Sequence, residues 1–213
     1  MPTSLMVSAV GGADQRTLFT AGADEAGFTS LEFPDWAPDG QHIVFDSTQG
    51  MGWVKPDGGG FESLGPGLRP TFSPDSTQIA FHQPVEYLDD FGNTEYGVDL
   101  FVMNLATRQV RQLTTDHRVW NAPASWSPDG RHIIYPTDSG ASVVDTTTGD
   151  STSVISGLMG VSPVYSPDGS QIAYSAYDPG TGQHGLYVAD ADNHNARMIS
   201  DLPGTELTEW IEN

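Results

Sequence analysis

Cysteine is absent from all 213 residues, which excludes a disulfide framework and any cysteine-ligated metal site. Basic residues are nearly as scarce. Eight Lys and Arg, with Lys55 the sole lysine, face 28 Asp and Glu, giving a formal net charge of −20. Such a surface repels phosphate backbones and anionic bilayers, so neither nucleic acid nor membrane is an expected partner. It suits cations, basic peptides or a saline medium. No apolar run approaches the roughly 18 residues of a membrane span, so membrane insertion is not expected. Residues 1–10 lack a basic segment followed by an apolar stretch, so no signal peptide is legible there.

Turn formers are abundant. The chain carries 24 Gly and 15 Pro, a profile that suits an all-β protein with many tight connections. These residues recur in register. PDWAPDGQHIVFDS at 34–47 and RPTFSPDSTQIAFHQ at 69–83 share a pattern with PASWSPDGRHIIYPT at 123–137 and SPVYSPDGSQIAYSA at 162–176. The Pro-Asp pairs begin at Pro38, Pro74, Pro128 and Pro167, in steps of 36, 54 and 39 residues. Removing an insertion at 84–97 from the long step restores a period of about 40.

Each part of the motif has a physical role. Trp36, Phe72, Trp126 and Tyr165 are expected to end one strand with a large buried ring. Pro presets φ for the turn, Asp accepts bonds from turn amides, and Gly permits positive φ. Ser76 replaces the Gly in the second copy, so that turn is expected to differ. The triplets Ile43-Val44-Phe45, Ile79-Ala80-Phe81, Ile133-Ile134-Tyr135 and Ile172-Ala173-Tyr174 read as returning strands buried on both faces. A second strand–turn–strand unit follows every copy, at 52–64, 99–114, 141–155 and 185–200.

Four antiparallel strands per unit of about 40 residues predict the blades of a β-propeller. The repeated Pro-Asp-Gly turn resembles the TolB-like propeller repeat, a WD-type relative that also builds the propellers of prolyl-oligopeptidase-type peptidases. The expectation is one all-β domain over 1–213. Its blades fall at 28–65, 68–115, 121–156 and 160–201, with partial pieces at 1–22 and 205–213. Residues 5–19 read as the second hairpin of a blade, and Trp210 falls where Trp36 and Trp126 sit. That fifth, split blade lacks its second strand, and its open edges leave three readings: part of a larger propeller, a short open or imperfectly closed five-blade form, or assembly with another chain, self-association included. The resemblance implies an exported, periplasmic or extracellular interaction protein.

Catalytic signatures are missing: there is no G-x-S-x-G, no P-loop, no G-x-G-x-x-G before a helix and no H-E-x-x-H. His42 and His132 take the repeat position of Gln78 and Gln171. His82 stands where Asp46, Pro136 and Ser175 stand, and His117, His184 and His194 fall in loops. Asp39, Asp75, Asp129 and Asp168 recur in one turn, which points to local bonding rather than catalysis. Asp190-Ala191-Asp192-Asn193 lacks the Gly and terminal Glu of a calcium loop and reads as an ordinary turn. No cofactor is expected, although acidic propeller channels suit a cation such as calcium.

The segment that departs from the repeat combines rings and acids: Glu86, Tyr87, Asp89, Asp90, Phe91, Glu95 and Tyr96. Exposed aromatics among charges suit recognition of a polypeptide or a cation. The expected function is therefore a non-catalytic protein or peptide interaction scaffold. The alternative is the propeller of a hydrolase or lyase whose catalytic residues lie outside this chain.

Overall fold

The computed structural model describes residues 4–9, 14–20, 30–120 and 122–201, and the regular structure among them is all β-strand. A front hairpin pairs β1 (Ser4–Val7) with β2 (Arg16–Thr20). Four antiparallel four-stranded blades follow. The first holds β3 (Leu31–Trp36), β4 (Ile43–Ser47), β5 (Gly50–Val54) and β6 (Glu62–Gly65). The second holds β7 (Leu68–Phe72), β8 (Gln78–Leu88), β9 (Thr94–Asn104) and β10 (Val110–Gln112). The third runs β11 (Ser125–Trp126), β12 (His132–Thr137), β13 (Gly140–Asp145) and β14 (Ser151–Ser156). The fourth runs β15 (Met159–Tyr165), β16 (Gln171–Asp178), β17 (Gln183–Asp190) and β18 (Arg197–Ser200). Strand order follows chain order in every sheet, as in propeller blades. The expected closing strand near Trp210 lies outside the described residues.

The apolar triplets are buried on both faces because blades stack on both sides of them. Ile43 and Phe45 pack with Leu5, Leu18 and Phe19 of the front hairpin. Val44, between them, packs the opposite way with Phe72, Ile79 and Phe81 of the second blade. The same alternation continues outward: Ala80 meets Ile133 and Tyr135, and Ile134 meets Ile172 and Tyr174. Each such side chain contributes about 1.5–3 kcal/mol by leaving water.

The Pro-Asp-Gly turns are alike to the level of single bonds. The amides of Gly40, Ser76, Gly130 and Gly169 bond the carbonyls of Ala37, Ser73, Ser127 and Ser166 at 2.8–2.9 Å. Ser76 adopts φ 59, close to 71, 69 and 72 for the three glycines. The expectation of a different turn is therefore corrected: the fold imposes the left-handed conformation on serine. Ser76 Oγ also accepts the Asp39 amide of the neighbouring turn at 3.1 Å.

A second correction concerns the repeated ring. Phe72 and Trp126 are buried, and Trp126 Nε1 donates to the Thr71 carbonyl of the preceding blade at 3.3 Å. Trp36 is 50% exposed. Such a ring is covered by the inner strand of the preceding blade, and the described part of that blade is only the β1–β2 hairpin, against β4 and β5 farther out.

Candidate functional site

The insertion is not a loop but an extension of the sheet. β8 and β9 are 11 residues each, against five in β4 and β5. β7 pairs with β8 only as far as His82, opposite Leu68. Beyond it, among the described residues, Gln83–Leu88 pairs with β9 alone, and the two strands run on as a ribbon about 20 Å long whose base is bridged at Val98 to Arg118. Its tip is held by Asp89, whose Oδ1 accepts the amides of Phe91 (2.9 Å) and Asn93 (2.7 Å). Asn93 Nδ2 donates to the second carboxylate oxygen at 2.9 Å. These bonds, led by those of Asn93, hold the Asp89 carboxyl below the usual range.

Strand alternation sorts the candidate residues. Glu86 lies opposite Tyr96, and Leu88 opposite Thr94, on the face that continues from Ala80 and His82 toward the third blade. Tyr96 is 75% exposed there, Leu88 69%, and Phe91 at the tip 90%. Asp90 is exposed beside them, and Glu95, opposite Tyr87, is exposed on the other face. Tyr87 points to the other face, where it folds back onto the blade. Its ring stacks on His117 at 4.0 Å.

That stack depends on a buried carboxylate. Asp99, fully buried in β9, accepts from His117 N (2.9 Å), His117 Nδ1 (2.7 Å), Thr114 Oγ1 (3.1 Å) and Gln112 Nε2 (2.8 Å). Thr114 Oγ1 accepts the Leu100 amide at 2.9 Å. His117 reaches Tyr87 across Gly97, where an added Cβ would lie 2.5 Å from His117 Cβ and 2.7 Å from its carbonyl oxygen. Seven of the residues singled out from sequence thus divide by role. Tyr87 and Asp89 hold the ribbon, while Glu86, Asp90, Phe91, Glu95 and Tyr96 face solvent.

Between the ribbon and the third blade lies a cavity of about 410 Å³. Leu68, Val98, Val119 and Trp120 form apolar walls, Tyr96 the rim, and His82 and Arg69 the polar inner side. Arg118, at the outer edge, pairs with Asp138 at 3.1 Å. Sequence reasoning missed Leu88, Trp120 and the Asp99 network. An acid inside the apolar run of β9 was the available signal, since a buried carboxylate requires partners.

The remaining candidates have local explanations. His42 stacks on Trp53 at 4.2 Å, His184 lies against Tyr177 at 4.7 Å, and His194 pairs with Asp192 at 2.7 Å. His132 stands 4.0 Å from Asp145. Asp75, Asp129 and Asp168 accept the hydroxyls of Ser73, Ser127 and Ser166 at 2.6–2.7 Å, and turn bonding lowers all three carboxyls. In the 190–193 turn, Asp190 accepts from Asn195 Nδ2 at 2.7 Å. A larger cavity of about 900 Å³ lies between the third and fourth blades on the Pro-Asp-Gly face. Asp129, Asp145, Asp168 and Asp192 on its wall are each engaged in a turn of their own. Among the described residues, no group of three or more His, Asp or Glu side chains is placed to hold a metal ion.

No protein-family model and no curated protein matches the chain. Solved structures do match. TolB from Acinetobacter baumannii shares 21% identity at a TM-score of 0.72, over 93% of this chain and 49% of that one. An oligogalacturonate lyase in complex with manganese shares 14% at a TM-score of 0.69, over 94% and 60%. A chain of a nidogen–laminin complex shares 11% at a TM-score of 0.65, over 88% and 68%. This chain spans about half the length of the TolB structure. At these identities the common property is the fold, a β-propeller.

Proposed function

We propose that the chain is a non-catalytic binding module whose β8–β9 ribbon takes an extended polypeptide segment bearing basic and apolar side chains. The observation that carries this reading is the exposure of Leu88, Phe91 and Tyr96 on a ribbon whose strand edges, beyond the Val98–Arg118 bridge, are unpaired among the described residues. Burying three such side chains is the kind of anchoring that concentrates binding energy at interfaces. A free strand edge supplies backbone bonds to an added strand. Glu86, Asp89, Asp90 and Glu95 surround the anchors, and no Lys or Arg occurs between residues 84 and 98, so the complementary segment is cationic. One structural neighbour belongs to a nidogen–laminin complex, which agrees with a propeller that binds protein.

Selection from a displayed random-peptide library tests this. Basic sequences with aromatic or aliphatic anchors should be enriched, bind more weakly at high salt, and lose binding to a Leu88→Ala, Phe91→Ala, Tyr96→Ala triple variant. Enriched peptides that bind the folded variant equally well would remove the ribbon from the account. A second reading, part of a hydrolase or lyase completed by residues outside this chain, draws on the likeness to the lyase. Appearance of unsaturated products from oligogalacturonates with manganese, by ultraviolet absorbance, would favour it.

A further inference from the structure

His82 is buried at the inner side of the 410 Å³ cavity, and among the described residues neither ring nitrogen, both shielded from solvent, has a hydrogen-bond partner. Leaving such a group unsatisfied costs about 1–3 kcal/mol, so the arrangement calls for an explanation. The repeat supplies one. In the first blade the equivalent residue is Asp46, whose Oδ2 accepts the Arg69 amide of the second blade at 2.8 Å. One blade further, His82 stands in the place of Asp46 and Pro123 in the place of Arg69. Proline has no amide hydrogen to give. The partner that the scaffold provides between the first and second blades is therefore missing between the second and third, next to an open cavity.

Burial, then the nearby Arg69 charge, pushes the His82 imidazole down to about 3. The ring is neutral at physiological pH, with one nitrogen donating and the other accepting. Its neighbours narrow the complementary ligand further. Arg69 and Arg118 disfavour an ammonium group. Asp46 and Asp138 already stand beside these two arginines, and a carboxylate has no hydrogen for the accepting nitrogen. An aliphatic hydroxyl would leave the apolar walls uncovered.

We infer that the cavity is a subsite for a phenol, the tyrosine side chain of the segment bound by the ribbon. A small turn of the buried His82 ring brings its unprotonated nitrogen to the cavity, where it accepts the phenol hydrogen on the side that Arg69 also lines, and the phenol ring fills the space between Leu68, Val98 and Trp120. The subsite rests on the ribbon reading for its biological ligand, but its chemistry is testable without the ribbon.

The test compares N-acetyl-tyrosinamide with N-acetyl-phenylalaninamide, which differ by one hydroxyl, by calorimetry and by nuclear magnetic resonance of ring-labelled histidine. The tyrosine compound should bind at least about tenfold more tightly, because a site built around a hydroxyl rejects the analogue lacking it. Its binding should shift the His82 ring resonances in the unmodified protein. A His82→Phe variant, or Arg69→Gln if the former does not fold, should reduce the preference to about twofold. Equal affinities, no binding of either compound, or an unchanged preference in the folded variant would overturn the inference. The fragments carry no segment for the ribbon to pair with, so failure of the ribbon reading and failure of the subsite are separable.

Discussion

Replacing Ala37 by Ser should stabilise the protein, because the first blade lacks a hydroxyl for which the other three have built a socket. In the third blade, Ser127 Oγ donates to Asp129 Oδ1 at 2.6 Å, lies 3.1 Å from the His132 carbonyl and accepts the His132 amide at 2.9 Å. Ser73 and Ser166 repeat the pattern. Ala37 occupies the same position, with its amide bonded to the His42 carbonyl at 2.9 Å and Asp39 Oδ1 already holding the Gln41 amide at 2.9 Å. The new hydroxyl therefore meets preformed partners. A neutral bond contributes about 0.5–1.5 kcal/mol net, and the bond to Asp39 is weakened by that residue's exposure, so the gain should be about 1–2 kcal/mol. For a chain of this size that raises Tm by roughly 3–6 °C. Urea denaturation followed by tryptophan fluorescence should show a higher midpoint at unchanged slope.

The gain should also depend on pH in a defined direction. In the equivalent turns the serine hydroxyl is the leading cause lowering Asp75 and Asp129, and backbone bonding from Ser170 leads at Asp168. A carboxyl lowered by folding contributes stability that is complete above its unfolded value, near ~4, and lost as pH falls through the folded value. The advantage of Ala37→Ser should thus shrink in acid. An unchanged or lowered midpoint at pH 7, with the fold intact, would refute the reasoning.

Gly97→Ala should cost about 1–3 kcal/mol by driving a methyl group into the backbone of His117, and a cost near zero in urea would show that His117 yields freely. Trp126→Ala should cost about 3–5 kcal/mol, as for other buried rings, whereas Trp36→Ala, half-exposed, should cost far less in the same thermal melts. Asp46 is raised mainly by burial, so its ionisation opposes folding once pH climbs above the unfolded value. Asp46→Asn should therefore raise Tm at pH 7 and change it little at pH 4, provided the amide oxygen still accepts from Arg69. A lower Tm at pH 7 would argue against that reading.

Much of the architecture was legible because a propeller is built from local units. Hairpins of neighbouring segments, a fixed turn and apolar triplets at a period near 40 residues define each blade without reference to distant contacts. The Pro-Asp-Gly turns were readable for the same reason, since Asp129 and its partners Ser127 and Arg131 are near neighbours in the chain. Where the reading failed, the deciding atom was remote. Trp36 carries the same motif as Trp126, but its exposure depends on the preceding blade. Ser76 takes the left-handed conformation of the glycines it replaces, and its hydroxyl accepts the Asp39 amide, 37 residues away.

The candidate site shows the same division. Composition singled out the 84–97 segment because rings and acids there interrupt a repeat. It did not separate Tyr87, which clamps the ribbon through His117, from Phe91 and Tyr96, which face solvent. That separation follows from pairing register, because a one-residue shift sends each side chain to the opposite face. Sequence alone determined the blades, their turns and the acidic surface, all of which rest on short-range bonding or on summed charge. Only the tertiary structure decided that the insertion is a ribbon, that Asp99 anchors it, and that His82 has no partner among the described residues beside its cavity. Those facts depend on how one blade meets the next, and packing between blades joins residues that the chain keeps far apart.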